Sequence, residues 1–434
     1  MVLDTLREDY AGGLDELLKR GFVKYHGAIS AAPWTLPSHA SMFTGQLPSR
    51  HQVHEGRGVF PKDLMRLSSS SLRPSRQNLL NSLSEKGYTR YCLTENPFIS
   101  PSFGFDFDVY KEYHVYGPVV EGTVPIFYKE ATALSKAVSM LKAGKLNTFR
   151  VAVAAWIRVQ LETALGKPAV DRGSRYLLQD LARIRPSSPF FLFLDLMEAH
   201  GPYFWDEDLV AVRRNSALSR DPGRISTRWK NAYGQHARLA VDRALDAVAL
   251  IEKYDPLTIV TSDHGQLLGE KGRYDHGTFL DDALLRVPLY VKFPEAVEPF
   301  HQEKPLISLL EVHKLVTSMV SSVQAELGSD YAFAESFGPM DELSRYLTEE
   351  NPNAVLSKLY AARVRIYSRD GSVLYNRTDD VVEETEGTLT SGEVTRLVGL
   401  GKAIETPDAS GAPPTISQAD EELVLDRLRR LGYA

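Results

Sequence analysis

The chain has 434 residues, of which 43% are hydrophobic and 24% charged, and its formal net charge is −6 at pH 7. This composition predicts an ordinary globular protein of one or two domains, and it gives no basic face of the kind that binds nucleic acid. One cysteine, Cys92, excludes an intrachain disulfide. No apolar run reaches the roughly 20 residues of a membrane span. We therefore expect no nucleic-acid partner, no membrane span and a cytoplasmic location, and the sequence leaves a homo-oligomer open.

The first predicted element is a short strand that ends in a carboxylate. Val2 and Leu3 are typical of the end of a buried strand, and Asp4 follows them. A central strand of a sheet usually has about five or six residues. Either this strand is unusually short, or residues precede Met1 in a longer chain, and the predicted location depends on which is true.

A helix with a hydroxyl at its start is predicted next. In Thr35-Leu36-Pro37-Ser38-His39, Pro37 suits the first turn of a helix, which places Thr35 near the N-cap. The free N–H groups at such a terminus can hold a phosphate or sulfate group. A metal ion could then activate the hydroxyl for attack on an anionic ester. The alternative is an ordinary threonine N-cap.

Polar residues also follow a later strand. The β-branched run 257–261 predicts a buried strand, and Ser262, Asp263 and His264 come directly after it. In open α/β sheets, ligands bind outside the carboxyl ends of the strands. If both strands belong to one parallel sheet, Asp4, Asp263 and His264 converge there with Thr35, and this set suits a divalent cation.

Two loops carry further candidates. The apolar run 189–194 predicts a strand, and His200 lies in the loop after it. The glycine-rich segment 269–277 contains Lys271 and His276, which could contact an anion. A backbone-bonded turn histidine and a solvated charged loop are the alternatives.

The rest of the chain predicts a catalytic core over residues 1–295 and a smaller C-terminal region over 296–434. Asn96 follows a strand at 88–93 and either contacts substrate or forms a plain Asn-Pro turn. The remaining predicted elements are a helical insertion or lid at 120–185 with helices at 131–145 and 150–165, an amphipathic helix at 228–253, a hairpin formed by 362–367 and 372–375, a linker at 403–417, and a last helix at 425–433.

Together these segments resemble the sulfatase family of the alkaline phosphatase superfamily. The resemblance implies an α/β fold, in which a large mixed, mostly parallel sheet lies between helices and carries a small C-terminal α+β subdomain. It also implies hydrolysis of anionic esters. The matching segments, in chain order, are 4–9, 35–45, 193–203, 261–269, 286–291 and 425–433.

The nucleophile segment departs from the usual sulfatase motif. Sulfatases that use formylglycine carry Cys or Ser in C/S-x-P-S-R, whereas this chain has Thr35 and has His39 in place of the arginine. Threonine cannot become formylglycine. The segment is similar to the T-x-P-N-H motif of nucleotide pyrophosphatase/phosphodiesterases, which use a threonine alkoxide and two zinc ions. Here Asp195, His200 and His276 could form the second ligand set, but the Asp195 to His200 spacing is one residue too long.

The resemblance therefore implies one divalent cation (Ca²⁺, Mg²⁺, Mn²⁺ or Zn²⁺), with a second metal doubtful. It assigns the metal ligands Asp4, Asp263, His264 and Thr35, the catalytic residues Thr35, His200 and His276, and the substrate-binding residues His39, Asn96 and Lys271. In this scheme His200 protonates or stabilises the leaving oxygen, and His276 contacts the anion.

The implied activity is hydrolysis of a phosphate mono- or diester through a covalent Thr35 intermediate. The substrate is an anionic ester of a small molecule, a glycan or a lipid. The alternatives are a sulfatase without formylglycine, a phosphoryl-alcohol transferase, and a catalytically silent anion-binding protein. The last alternative is suggested by His39 in place of Arg, by Gln266 where the family commonly has Glu, and by the short first strand.

Overall fold

The computed structural model describes residues 1–56, 61–114, 117–118, 171–201, 223–339 and 359–404, together with Ile157 and Tyr203. Eight of its sixteen described strands belong to one large sheet, and four form a smaller sheet in the C-terminal region. The strands are β1 (Val2–Leu3), β2 (Val23–Tyr25), β3 (Ala28–Ile29), β4 (Thr89–Thr94), β5 (Val109–His114), β6 (Gly117–Pro118), β7 (Phe190–Leu196), β8 (Thr258–Thr261), β9 (Leu267–Leu268), β10 (Tyr274–Asp275), β11 (Leu289–Lys292), β12 (Ile307–Ser308), β13 (Ala332–Ser336), β14 (Arg363–Ser368), β15 (Gly371–Asn376) and β16 (Val381–Gly387).

The large sheet has eight strands in the order β2-β11-β8-β1-β7-β4-β5-β6. The five strands from β8 to β5 are parallel to their neighbours, and the pairings of β11 and β6 are antiparallel. Val2 of β1 pairs with Asp195 on one side and with Thr261 on the other. The carboxyl ends of β8, β1 and β7 therefore lie side by side, as predicted for Asp4 and Asp263.

Helices cover both faces of this sheet. They are α1 (Thr35–Thr44), α2 (Pro48–His51), α3 (Pro61–Leu72), α4 (Leu79–Glu85), α5 (Ser174–Arg183), α6 (Gly223–Ile251), α7 (Asp282–Leu285), α8 (Glu311–Val320) and α9 (Ser391–Lys402).

Successive residues of β1 face opposite sides of the sheet, as a pleated strand requires. Val2 packs into the core that contains α1, α4 and α8, whereas Leu3 packs into the core that contains α5 and α6. The predicted α/β sandwich is confirmed. The helix predicted at 228–253 is present as α6, which begins five residues earlier than predicted.

Helix α5 lies within the range predicted as an insertion or lid. Its residues Leu177 and Leu181 are buried in the main core, so this helix belongs to the helical layer of the sheet. The predicted helices at 131–145 and 150–165 lie outside the described residues apart from Ile157, which is helical. The predicted last helix and all but the first two residues of the predicted linker also lie outside them.

The C-terminal region forms an antiparallel sheet in the order β13-β14-β15-β16, and α9 packs on it. The predicted hairpin is present as β14 and β15, with Ser368 pairing with Gly371 at its turn. Glu335 of β13 reaches the core, where its carboxylate accepts a hydrogen bond from the Ser49 amide at 2.7 Å. The small sheet therefore packs on α2 and, through β13, beside β3 and β12. The domain boundary at residue 295 stays a prediction.

Candidate active site

Helix α1 presents the Thr35 hydroxyl to the carboxyl edge of the large sheet. The N-cap is Trp34, whose backbone is extended, and Thr35 is the first helical residue. The Thr35 side chain therefore does not cap its own helix, which removes the threonine N-cap alternative. Its Oγ1 lies 3.4 Å from Asp4 Oδ2 and 3.3 Å from His264 Nε2.

Asp4, Asp263 and His264 form a buried cluster beside this hydroxyl. One ligand atom from each lies within 4.8 Å of the other two. His264 Nε2 is 3.4 Å from Asp263 Oδ2 and 3.7 Å from Asp4 Oδ1. The structure thus brings together the four residues predicted to hold a cation.

The chemistry of these groups fits a divalent cation. Burial raises the pKa of both Asp4 and Asp263 to about 7 and lowers the pKa of His264 to about 3. His264 Nδ1 lies 2.9 Å from the Gly265 carbonyl oxygen and donates to it, which leaves the Nε2 lone pair facing the carboxylates. Asp4 Oδ1 and Asp263 Oδ2 accept no hydrogen bond from the described residues. These two buried carboxylate oxygens and the neutral imidazole, whose Nε2 also contacts Thr35 Oγ1, are suitable metal ligands.

His200 and His276 lie beside the cluster, as predicted. The ring centroid of His276 is 4.8 Å from that of His264 and 4.9 Å from that of His200. His276 Nδ1 contacts Gln266 Oε1 at 2.8 Å. Burial, with the nearby His276, holds the pKa of His200 well below its ordinary value. His200 is therefore a neutral imidazole near pH 7.

His39 packs in the core beside the cluster. It is fully buried on α1, where its Nδ1 donates to the Thr35 carbonyl oxygen at 2.9 Å, and its ring packs edge-on against Phe193. The same Nδ1 lies 3.6 Å from Asp263 Oδ2. These contacts brace α1 against the cluster. A role of His39 in substrate binding stays a prediction.

Asn96 and Lys271 contact protein carboxylates. Asn96 is fully buried; its Nδ2 donates to Asp4 Oδ2 at 2.7 Å, and its Oδ1 accepts from the Phe98 amide at 3.0 Å. Lys271 Nζ forms ion pairs with Asp281 at 2.9 Å and with two glutamates of β16. The structure thus places Asn96 behind a candidate ligand and Lys271 at the contact with the C-terminal sheet. Substrate binding by either residue stays a prediction.

The second ligand set does not assemble in the described part of the chain. Asp195 lies within β7, fully buried, and its Oδ2 accepts from Thr94 Oγ1 at 3.1 Å. Across the described ranges, Asp4, Asp263 and His264 are the one group of three His, Cys, Asp or Glu side chains close enough to share a metal ion. The geometry therefore fits a single cation.

The sequence analysis missed Thr5, which connects the two aspartates. Its φ of 62° is in the left-handed region, which is a genuine outlier for a β-branched residue. Its amide donates to Asp263 Oδ1 at 3.3 Å, and its carbonyl accepts from the Tyr233 hydroxyl at 2.7 Å. The only sequence signal that could have indicated Thr5 is its position next to Asp4. No sequence signal indicates its contact with Tyr233, because the two residues are 228 positions apart in the chain.

The fold and the site together define an ester-cleaving enzyme of the alkaline phosphatase type, with the N-terminus of α1 beside a buried cluster of possible metal ligands. A family model described as Sulfatase matches residues 11–322. The chain belongs to the sulfatase family, whose members are hydrolases that act on sulfate and phosphate esters. The matched range contains Thr35, His200, Asp263, His264 and His276.

Among characterised proteins, the sulfotransferase Agl7 of low-salt glycan biosynthesis in Haloferax volcanii is 33% identical over 117 residues. These residues make up 26% of this chain and 28% of that protein, so the matched part spans less than a third of the relative.

Solved structures share the fold across nearly the whole chain. The phosphonate monoester hydrolase SpPMH from Silicibacter pomeroyi has a TM-score of 0.54 and 13% identity, and the match covers 96% of this chain and 97% of that one. A putative sulfatase from Bacteroides thetaiotaomicron has a TM-score of 0.55 and 11% identity, with 99% and 91% covered. A 2-O GAG sulfatase has a TM-score of 0.52 and 12% identity, with 99% and 91% covered. No described helix has the length and apolar character needed to cross a membrane, and the cytoplasmic location stays a prediction.

Proposed function

We propose that this protein is a metal-dependent hydrolase of phosphate mono- or diesters and that Thr35 is its nucleophile. The observation that carries the proposal is the position of the Thr35 hydroxyl, within 3.4 Å of both Asp4 and His264 at the start of α1. A hydroxyl at the N-terminus of a ten-residue helix meets an anionic group where backbone N–H groups and the helix dipole favour negative charge.

Asp4, Asp263, His264 and the Thr35 hydroxyl would hold the cation. When bound, a divalent cation supplies two effects: it lowers the pKa of the hydroxyl, and it neutralises charge on the ester oxygens. Thr35 Oγ1 attacks phosphorus, and the bond between phosphorus and the leaving alcohol breaks. Water then hydrolyses the Thr35 ester and releases the acid.

His200 and His276 act on the substrate side of this reaction. An anionic ester beside His200 favours the imidazolium and raises its pKa from the low value that burial causes. In the complex, His200 can then donate a proton to the leaving oxygen. His276, held by Gln266 at 2.8 Å, contacts a non-bridging oxygen.

Threonine supports the phosphate assignment, because a threonine ester has no aldehyde hydrate through which to release sulfate. A second candidate is transfer or hydrolysis of a sulfate group. The observation in its favour is the 33% identity to a protein named as a sulfotransferase. The same covalent Thr35 ester would serve a transferase, in which an acceptor alcohol replaces water.

The test compares four esters: p-nitrophenyl phosphate, bis-p-nitrophenyl phosphate, a phenylphosphonate ester and p-nitrophenyl sulfate. Wild type, Thr35→Ala and Thr35→Ser are assayed after chelation and after addition of one metal at a time. Thr44→Ala is the matched control, because Thr44 lies at the other end of α1, where it donates to the Ala40 carbonyl.

We expect metal-dependent turnover that Thr35→Ala abolishes, that Thr35→Ser partly keeps and that Thr44→Ala keeps. The preferred ester decides between phosphate and sulfate. Turnover that appears only with an added alcohol would establish the transferase. A folded variant Thr35→Ala that turns over as wild type would refute Thr35 as the nucleophile. Metal binding without turnover under any condition would favour the silent anion-binding protein.

A further inference from the structure

In each of the two aspartates of the cation site, one carboxylate oxygen accepts hydrogen bonds and the other accepts none from the described residues. In Asp4, Oδ2 accepts from Asn96 Nδ2 at 2.7 Å, whereas Oδ1 accepts nothing from the described residues and faces His264 Nε2 at 3.7 Å. A carboxylate held in this way offers a metal one oxygen. To offer both oxygens, it would have to share Oδ2 between the metal and the Asn96 amide, which already occupies one lone pair of that oxygen.

Backbone N–H groups occupy one oxygen of Asp263 in the same way. Its Oδ1 accepts from the Thr5 amide at 3.3 Å and from the His264 amide at 2.9 Å. Its Oδ2 accepts no hydrogen bond from the described residues and lies 3.4 Å from His264 Nε2. The left-handed backbone of Thr5, at φ 62°, aims its amide at this oxygen. Such strain costs on the order of 1–3 kcal/mol and persists where the surrounding structure enforces it.

The set of ligands that results is small and includes nitrogen. The described residues offer two single carboxylate oxygens, one imidazole nitrogen and the Thr35 hydroxyl. His264 Nε2 lies 3.3 Å from Thr35 Oγ1 and 3.4 Å from Asp263 Oδ2. Ligands at the usual distance from a tetrahedral zinc ion are about 3.3–3.4 Å apart. Calcium instead takes six to eight oxygen ligands, often from bidentate carboxylates.

We infer that the cation site selects Zn²⁺ over Ca²⁺, and that Asn96 is a positioning residue that enforces this selectivity by limiting Asp4 to one free oxygen. The inference rests on the cation site of the proposed function, but it does not depend on which ester is cleaved or on whether any is. It replaces the substrate contact predicted for Asn96 with a role in metal choice.

The test is calorimetric titration of the chelator-treated full chain with ZnCl₂ and with CaCl₂, in the absence of substrate. We expect Zn²⁺ to bind at least about 1,000-fold more tightly than Ca²⁺. In Asn96→Ala, Oδ2 of Asp4 loses its short donor and keeps only the Thr35 hydroxyl at 3.4 Å, and we expect the ratio of the two affinities to fall at least tenfold. Asn81→Ala is the matched control, because Asn81 donates to the Arg73 carbonyl away from the site, and it should keep the wild-type ratio.

The outcomes separate the two proposals. Wild type that binds Ca²⁺ as tightly as Zn²⁺ overturns the inference, and this measurement needs no variant to fold. An Asn96→Ala ratio equal to that of Asn81→Ala overturns the role of Asn96. Binding of neither metal overturns the inference and the metal dependence of the proposed function together. Zinc-selective binding without turnover of any ester leaves the inference standing and refutes the hydrolase.

Discussion

Glu55 is a buried carboxyl group that should make stability fall as pH rises. It lies behind the nucleophile helix, where its Oε2 accepts from Trp34 Nε1 at 2.6 Å and its Oε1 accepts from the Phe337 amide at 2.8 Å. Burial outweighs these donors and raises the pKa of Glu55 to about 7 from an ordinary 4.5. A pKa about 2.5 above its ordinary value changes the free energy of unfolding by about 3.4 kcal/mol between the protonated and the ionised form.

The sign follows from proton linkage. The folded state holds the Glu55 proton more tightly than the unfolded state does, so this stabilisation is fully present below pH 4.5 and is lost as pH rises through 7. Glu55→Gln cannot titrate. Its amide nitrogen would face the Trp34 N–H, and the two donors cannot bond to each other. This lowers the free energy of unfolding by roughly 1–3 kcal/mol at every pH.

The assay is the free energy of unfolding in urea at pH 4.5, 6 and 8 for wild type and Glu55→Gln. The variant should be about 1–3 kcal/mol less stable than wild type at pH 4.5. Because wild type loses about 3 kcal/mol by pH 8, the variant should be as stable as wild type or more stable there. Glu298→Gln, which changes an exposed carboxyl group, controls for the general effect of removing a charge. Parallel curves for wild type and Glu55→Gln would refute the reasoning, because they would show that Glu55 does not titrate on folding in this range.

Three further substitutions test the site and its supports. Tyr233→Phe removes the hydroxyl that donates to Thr5 and accepts from the Arg7 amide; we expect a loss of about 1–3 kcal/mol in unfolding free energy, and an unchanged value would show that the bond is not needed. Asp263→Asn should abolish the metal binding that calorimetry detects. It should also raise the melting temperature in chelator at pH 8, because burial raises the pKa of Asp263 to about 7 and the charged form destabilises the fold at pH 8. A lower melting temperature of the variant in chelator would contradict this. Lys271→Ala should change kcat/KM less than twofold, because its charge is paired with carboxylates, and a tenfold loss would restore the predicted contact with substrate.

The parts of the site that follow strands could be predicted from the sequence. Asp4 and Asp263 each follow a short apolar run, and parallel pairing brings both runs to one edge. The position of Thr35 followed from Pro37, which falls in the first turn of α1. In these cases a local pattern and one rule of sheet topology determine the location.

The remaining contacts depend on packing that no local pattern encodes. The sequence did not indicate that the Asn96 amide reaches Asp4, which is 92 residues away. The sequence also did not indicate that Lys271 pairs with Glu384 on the C-terminal sheet. A polar side chain in a loop has several possible partners, and the sequence contains no period or spacing that selects among them.

The charge of the site favours esters that carry a single negative charge. Asp4 and Asp263 would balance one divalent cation, and in the free protein burial keeps His200 and His264 neutral near pH 8 by lowering their pKa. The charge of Lys271 is already compensated. The N-terminus of α1 then adds about half a positive charge, which suits a phosphate diester or a sulfate monoester better than a doubly charged phosphate monoester. At pH 8 we therefore expect kcat/KM for bis-p-nitrophenyl phosphate or p-nitrophenyl sulfate to exceed that for p-nitrophenyl phosphate by at least tenfold. A preference for the monoester would show that the site carries additional positive charge when substrate is bound.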